Sequence, residues 1–351
     1  MYQHGGDIYT HENIIMDFSV NLNPLGMPKS VKRAILANLD KYETYPDYSC
    51  RKLIQKLSIK ENVDTESILC GNGAAELIYD VVRAIKPQKA LIPIPAFSEY
   101  EKALHSVDCH VDYFVLPKDK NFMPDEKEVF QSFLMKLEEN YDILFLCNPN
   151  NPTGRVLKQD LIIEIVRKCA TLNTRVILDE CFIDFTGEES IASQIAFYPN
   201  LFVIKAFTKI YSMAGVRLGY ALCSHKELRN SILSGRQCWN VSAVAQYAGL
   251  AALEEEDYIN RTREYVRKER KYLEKQLVKL GFNVLEGEAN FLLFHVNSLE
   301  IDLWEELRKK QILIRKCDDY KGLGVGYYRI AVKRHEENKK IIQAMREVLN
   351  K

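Results

Sequence analysis

Ala206-Phe207-Thr208-Lys209-Ile210-Tyr211-Ser212-Met213-Ala214-Gly215-Val216-Arg217-Leu218-Gly219 is the stretch on which the reading of the fold turns. It follows Leu201-Phe202-Val203-Ile204, an apolar run that reads as a buried strand. Lys209 comes directly after a hydroxyl residue, and Arg217 with Leu218-Gly219 follows eight positions later. Such a set suits a cofactor with an aldehyde at one end and a phosphate at the other. The amine condenses with the aldehyde, while the hydroxyl and the guanidinium hold the phosphate dianion. Pyridoxal 5'-phosphate is such a cofactor, and proteins hold it through a lysine Schiff base. A Thr-Lys step after a core strand, taken alone, would be read as a surface lysine. The rest of the chain has to decide.

The composition sets the frame. A chain of 351 residues can bury a large core and is expected to form one large and one small domain. Hydrophobic residues at 47% and charged residues at 27% describe an ordinary globular protein. Lysine plus arginine equals aspartate plus glutamate at 48 each, so no global field favours nucleic acid or an anionic membrane. Apolar runs are short and broken by charge, and Met1-Tyr2-Gln3-His4-Gly5-Gly6-Asp7 has neither the basic start nor the apolar core of a signal peptide. A cytoplasmic location is the expectation. Nine cysteines lie between Cys50 and Cys317 with no Cys-x-x-Cys pair, which predicts reduced thiols packed in the core and no metal site.

Several further stretches carry chemistry. Asn21-Leu22-Asn23-Pro24-Leu25-Gly26 is a turn signal after an N-terminal arm. Gly71-Asn72-Gly73-Ala74-Ala75-Glu76 feeds a segment with Leu77, Ile78, Val81 and Val82 at helical spacing, so free N–H groups at a helix start would face an anion; a plain tight turn fits the same residues. Ala90 to Pro95 and Asp142 to Cys147 read as interior parallel strands. The first is followed by Phe97, which would stack on a planar ring or simply fill a rim. The second leads into Asn148-Pro149-Asn150-Asn151-Pro152-Thr153-Gly154, a rigid loop where open α/β sheets place ligands; Asn151 would donate to a phenolate oxygen or serve only the turn. Arg175 to Glu180 is a strand ending in acid, and Asp179 there would keep a pyridine nitrogen protonated or cap a helix. Towards the C-terminus the pattern predicts strands at Phe291–Phe294, Ile312–Arg315 and Tyr327–Val332, with helices between and after them. Arg315 and Arg329 lie in those strands, as edge charges or as a clamp on an anionic substrate.

Phosphate turn, stacking aromatic, amide, acid and lysine come in the order a pyridoxal-phosphate site needs. Taken together they resemble the fold-type-I aminotransferase superfamily, in particular its histidinol-phosphate aminotransferase branch, over nearly the whole chain. The resemblance implies an α/β, aspartate-aminotransferase-like fold. Its large domain, 45–255, would hold a mostly parallel seven-stranded sheet. An N-terminal arm, 1–44, and residues 256–351 would complete a small α+β domain. It also implies a homodimer with shared sites. By position, Gly73, Ala74, Thr208 and Arg217 would hold the cofactor phosphate with Tyr45 of a second subunit, and Lys209 would carry the cofactor. His4, Gly5, Asn21, Asn151, Arg315 and Arg329 would contact a small phosphorylated amino acid.

Within that branch the chain looks most like the threonine-phosphate decarboxylases of cobalamin biosynthesis, on His4-Gly5-Gly6, Asp17-Phe18-Ser19 and Asp179-Glu180-Cys181-Phe182-Ile183-Asp184-Phe185. The implied reaction is decarboxylation of O-phospho-L-threonine to (R)-1-amino-2-propanol O-phosphate. The alternative is amino transfer between histidinol phosphate and 2-oxoglutarate. Phe182 stands where many transaminases of the superfamily have tyrosine, which agrees better with the decarboxylase. The phosphate turn, Gly73-Ala74-Ala75-Glu76, lacks the hydroxyl or acid often found after its second glycine, which implies fewer side-chain bonds to the cofactor.

Overall fold

The computed structural model describes residues 5–10, 13–297 and 301–349. In chain order the strands are β1 (Met16–Asp17), β2 (Ile68–Gly71), β3 (Lys89–Ile94), β4 (His110–Val115), β5 (Ile143–Cys147), β6 (Arg175–Asp179) and β7 (Leu201–Ala206). They continue with β8 (Gly219–Leu222), β9 (Asn283–Val284), β10 (Phe291–His295), β11 (Ile312–Leu313), β12 (Arg315–Lys316) and β13 (Tyr327–Ala331). Seven of these form one sheet in the order β2-β8-β7-β6-β5-β3-β4. All run parallel except β8, which is antiparallel to both β2 and β7.

The apolar runs make this sheet because helices cover both of its faces, so its central strands have no polar side. Every residue of β7 is buried, and in β5 Ile143 to Leu146 are. The covering helices bury matching stripes. Gly73–Ile85 does so with Leu77, Ile78, Val81 and Val82, and Gln159–Thr171 with Ile162, Ile165, Val166 and Cys169. Each such aliphatic side chain stabilises the fold by about 1.5–3 kcal/mol relative to leaving it exposed. At the edge, β4 is half-buried at most and carries His110 and Asp112, so it has no apolar run to announce it.

The second layer system is smaller: a parallel pair β1-β11 and an antiparallel sheet in the order β12-β13-β10-β9. The predicted strand Ile312–Arg315 is in fact two. The chain changes partner at Ile314, so Ile312-Leu313 pairs with Met16-Asp17 while Arg315-Lys316 pairs with Tyr328-Arg329. Between the two sheets the chain forms two helices, Ala243–Ala252 and Glu256–Lys279. The Ser242 hydroxyl caps the first by accepting from the Ala245 N–H at 3.1 Å. Among the described residues no helix is long and apolar enough to cross a membrane.

This topology places the chemistry. β5, β6 and β7 end on the same side, delivering Asn151, Asp179 and the Lys209 turn side by side. β13 brings Arg329 down onto them from the small sheet.

Candidate active site

A cleft of about 220 Å³ opens where those strand ends meet the small sheet. Its lining includes Gly5, Asn21, Ala74, Phe97, Asn151, Asp179, Thr208, Lys209, Arg217, Arg315 and Arg329.

At one end is an anion cradle. Gly73 begins a helix with φ +81°, a conformation that favours glycine. A Cβ there would sit 2.5 Å from Arg217 Nη2, so the guanidinium lies directly against the turn. From the other side Gly219 packs so closely that its Cβ would stand 2.7 Å from the Ala74 nitrogen. Thr208, buried at the start of the short helix Phe207–Ile210, lines the same cleft. Glu76, in the first turn of the cradle helix, is tied to the Asn72 N–H at 2.7 Å and to the Asn240 amide at 2.6 Å.

Across the cleft Asp179, 6% exposed, ends β6. It accepts from the Tyr100 hydroxyl at 2.6 Å and from the Cys181 N–H at 2.9 Å. Burial first, and then the carboxylate itself, hold the Tyr100 phenol well above its ordinary value, so it stays protonated and donates. Tyr100 is fixed in turn by stacking on Phe145, ring centroids 4.9 Å apart, and by the edge contact with Phe97 at 5.7 Å. Its role was not read from the sequence. The signal was its place one helical turn beyond Phe97, and nothing in that spacing names Asp179 as its partner.

Lys209 stands between the cradle and the acid. Burial pushes its amine down to about 8, helped by the charges of Arg329 and Arg217 and opposed by Cys181 and Asp179. Its Nζ lies 5.9 Å from the Phe182 ring centroid, and no hydroxyl comes from that position. Lys205, four residues earlier on β7, contrasts with it. Burial pushes its amine down too, but Glu61, Asp184 and Glu180 outweigh this and hold it above the usual lysine range. It is paired with both oxygens of Glu61 at 3.0 and 2.9 Å. The amine available for chemistry is that of Lys209.

The substrate end is built by register. Arg315 and Arg329 are direct cross-strand partners on β12 and β13, so their side chains share one face. Arg329 donates to Asn151 Oδ1, to the Ser19 carbonyl at 3.1 Å and to the Tyr320 hydroxyl at 3.4 Å. With its oxygen committed, Asn151 has its amide nitrogen left to donate. Asn21, 3% exposed, has a buried Oδ1 without a partner among the described residues. Gly5 lies against the Ser19 carbonyl with no room for a side chain, and the Gly6 N–H donates to Ser19 Oγ at 2.7 Å. His4 lies outside the described residues. Tyr45 is not in the cleft of this chain: it is 78% exposed and stacks on Trp239, centroids 4.4 Å apart.

Residues 13–345 match the family of aminotransferase class I and II. The chain belongs to that family. Among its relatives is the threonine-phosphate decarboxylase of Salmonella typhimurium, 36% identical over 99% of this chain and 96% of its own length. The histidinol-phosphate aminotransferase from Clostridium acetobutylicum superposes with a TM-score of 0.88 and 31% identity, covering 96% of this chain and 99% of that one. The L-threonine-O-3-phosphate decarboxylase from Porphyromonas gingivalis does so with a TM-score of 0.84 and 26% identity, over 96% and 100%.

As a member of this family the protein is a pyridoxal-phosphate enzyme of fold type I. The cleft fits that cofactor: the glycine turn leaves room for an anion beside Arg217, an acid is held ready at a strand end, and the Lys209 amine, lowered by burial to about 8, lines the same cleft.

Proposed function

We propose that this protein is a pyridoxal-phosphate lyase that removes CO₂ from O-phospho-L-threonine, giving (R)-1-amino-2-propanol O-phosphate. The observation that carries the reading is the pair Arg315–Arg329, registered opposite each other on one face of the small sheet. A substrate bearing a phosphate and a carboxylate on a three-carbon frame needs two cationic anchors, whereas histidinol phosphate bears only one anionic group. Phe182 supports it, since it stands where many transaminases have a tyrosine whose phenol would bond the cofactor's ring oxygen.

When bound, pyridoxal phosphate supplies an electron sink for the pair released at Cα as CO₂ departs. The chain's own groups do the rest. Gly73, Ala74, Thr208 and Arg217 would hold the phosphate, and Asp179, oriented by Tyr100, would keep a proton on the ring nitrogen. Phe97 would cover one face of the ring, and the Asn151 amide would donate to its oxygen. Arg315, Arg329 and Asn21 would orient the substrate, with Gly5 closing over it and His4 adjoining in sequence. The Lys209 amine, near 8, can hold a proton or release one close to neutral pH and would return it to Cα. Water kept out by the N-terminal segment would strengthen each of these contacts.

The test is product analysis: CO₂ release from O-phospho-L-threonine is expected. Amino transfer from histidinol phosphate to 2-oxoglutarate with no CO₂ release would make the protein the aminotransferase instead.

We also infer a homodimer with shared sites. Tyr45, Tyr48, Leu36 and Leu39 are large apolar groups exposed on one stretch of chain, and Tyr45 lies outside its own cleft. Its hydroxyl would reach the partner's cofactor phosphate. Mixing Tyr45→Phe chains with Lys209→Ala chains should then restore part of the activity each lacks. Proven heterodimers with no recovery would count against sharing.

A further inference from the structure

The two arginines share a face but not an electrostatic state. Arg329, 5% exposed, has only neutral partners among the described residues, and its Nε is buried without any. Arg315 is already answered by an acid. Its Nη2 donates to both oxygens of Asp319 at 2.8 Å each, while Nη1 donates to the Lys316 carbonyl. The two ends of that ion pair are unequal too: the Asp319 side chain is 25% exposed and that of Arg315 7%. The carboxylate is therefore the end of the pair nearer to water, and the guanidinium the end fixed in the cleft.

We propose that Asp319 is a specificity-determining residue, a resident carboxylate that occupies Arg315 until a more highly charged group of the substrate displaces it. This rests on the reading of Arg315 and Arg329 as substrate anchors. A substrate carboxylate offers Arg315 the same single charge and the same two oxygens that Asp319 already provides, so exchange gains almost nothing. A phosphoryl dianion brings twice the charge and a third oxygen, and exchange is favourable. The Arg315 subsite is thus reserved for a phosphate ester, and the uncompensated Arg329 receives the carboxylate. Tyr320 spaces the two, its ring 5.1 Å from the Arg315 guanidinium and its hydroxyl 3.4 Å from Arg329 Nη1. Unphosphorylated amino acids are rejected because Arg315 is taken, without any steric barrier.

The experiment is titration calorimetry of the full-length, cofactor-loaded protein with inorganic phosphate and with acetate. Asp319→Asn should tighten acetate binding and shrink the preference for phosphate over acetate by about tenfold. Asp319→Glu should keep the preference, and in an Arg315→Ala background Asp319→Asn should change nothing. Should the asparagine variant misfold, Asp319→Ser carries the same expectation. An unchanged preference in Asp319→Asn, or the same change without Arg315, would overturn the proposal. Arg315→Ala binding phosphate as the unmodified protein does would instead overturn the anchor reading on which it rests.

Discussion

Lys209→Ala is expected to lower kcat by about 10²–10⁴-fold, the range for losing a positioned acid–base group. The larger part of that range is expected because, in the proposed mechanism, the same amine would also carry the cofactor. Borohydride reduction of the loaded protein should fix a pyridoxyl label on the peptide containing Lys209 and leave Lys205 free. Lys205 is unsuited to the task because its amine is locked onto Glu61 at 3.0 and 2.9 Å. Label on Lys205 would sink the assignment. The same variant carries a pH signature in the cofactor-free protein. Burial first, and the neighbouring guanidiniums after it, bring the Lys209 amine from 10.5 to about 8 in the fold. Between those values the unfolded chain binds the extra proton, so the stability of the cofactor-free protein should rise with pH across that window. Denaturant midpoints taken on either side of it should show the rise in the unmodified chain and lose it in Lys209→Ala.

Arg329→Gln should cost about 2–4 kcal/mol in transition-state stabilisation, on the order of a 30- to 1,000-fold loss in kcat/KM. The size follows from burial: at 5% exposure, removing the charge leaves a substrate anion with neutral partners in a dry site. Part of the loss comes from elsewhere, because Arg329 also ties Asn151 of the large sheet's loop to Ser19 of the N-terminal segment. Arg329→Lys separates the two contributions. It keeps the charge but not the fork, so it should recover binding only partly while leaving Asn151 and Ser19 unsupported. A glutamine variant with unaltered kcat/KM would remove Arg329 from the substrate site.

How much of this was legible in the sequence depends on distance along the chain. Lys209, Arg217 and Gly219 sit within one short segment, and the groups at strand ends, Asn151 and Asp179, follow apolar runs that announce buried strands. These readings needed only local pattern. The clamp did not: Arg315 and Arg329 face each other through a register fixed by Tyr328 and Lys316, and no periodicity encodes that pairing. Tyr100 was within sight as a residue but not as the donor to Asp179, since a helix and a strand far apart in the chain deliver the pair. Asp319 gave no signal, because an acid after a strand reads as a solvated loop. The edge strand β4 was missed for a related reason: with one side open to water, His110 and Asp112 interrupt the apolar run.

The reversed strand β8 has a consequence for how the protein comes into being. It pairs Gly219 with Gly71 across the sheet and presses Gly219 onto the Gly73 turn, so the cradle has one wall from early in the chain and one from far beyond it. A ribosome that has not yet delivered Leu222 holds a nascent chain with half a cradle, and Lys209 emerges before its phosphate site is closed. The cradle therefore has both of its walls only in a chain whose large sheet is complete.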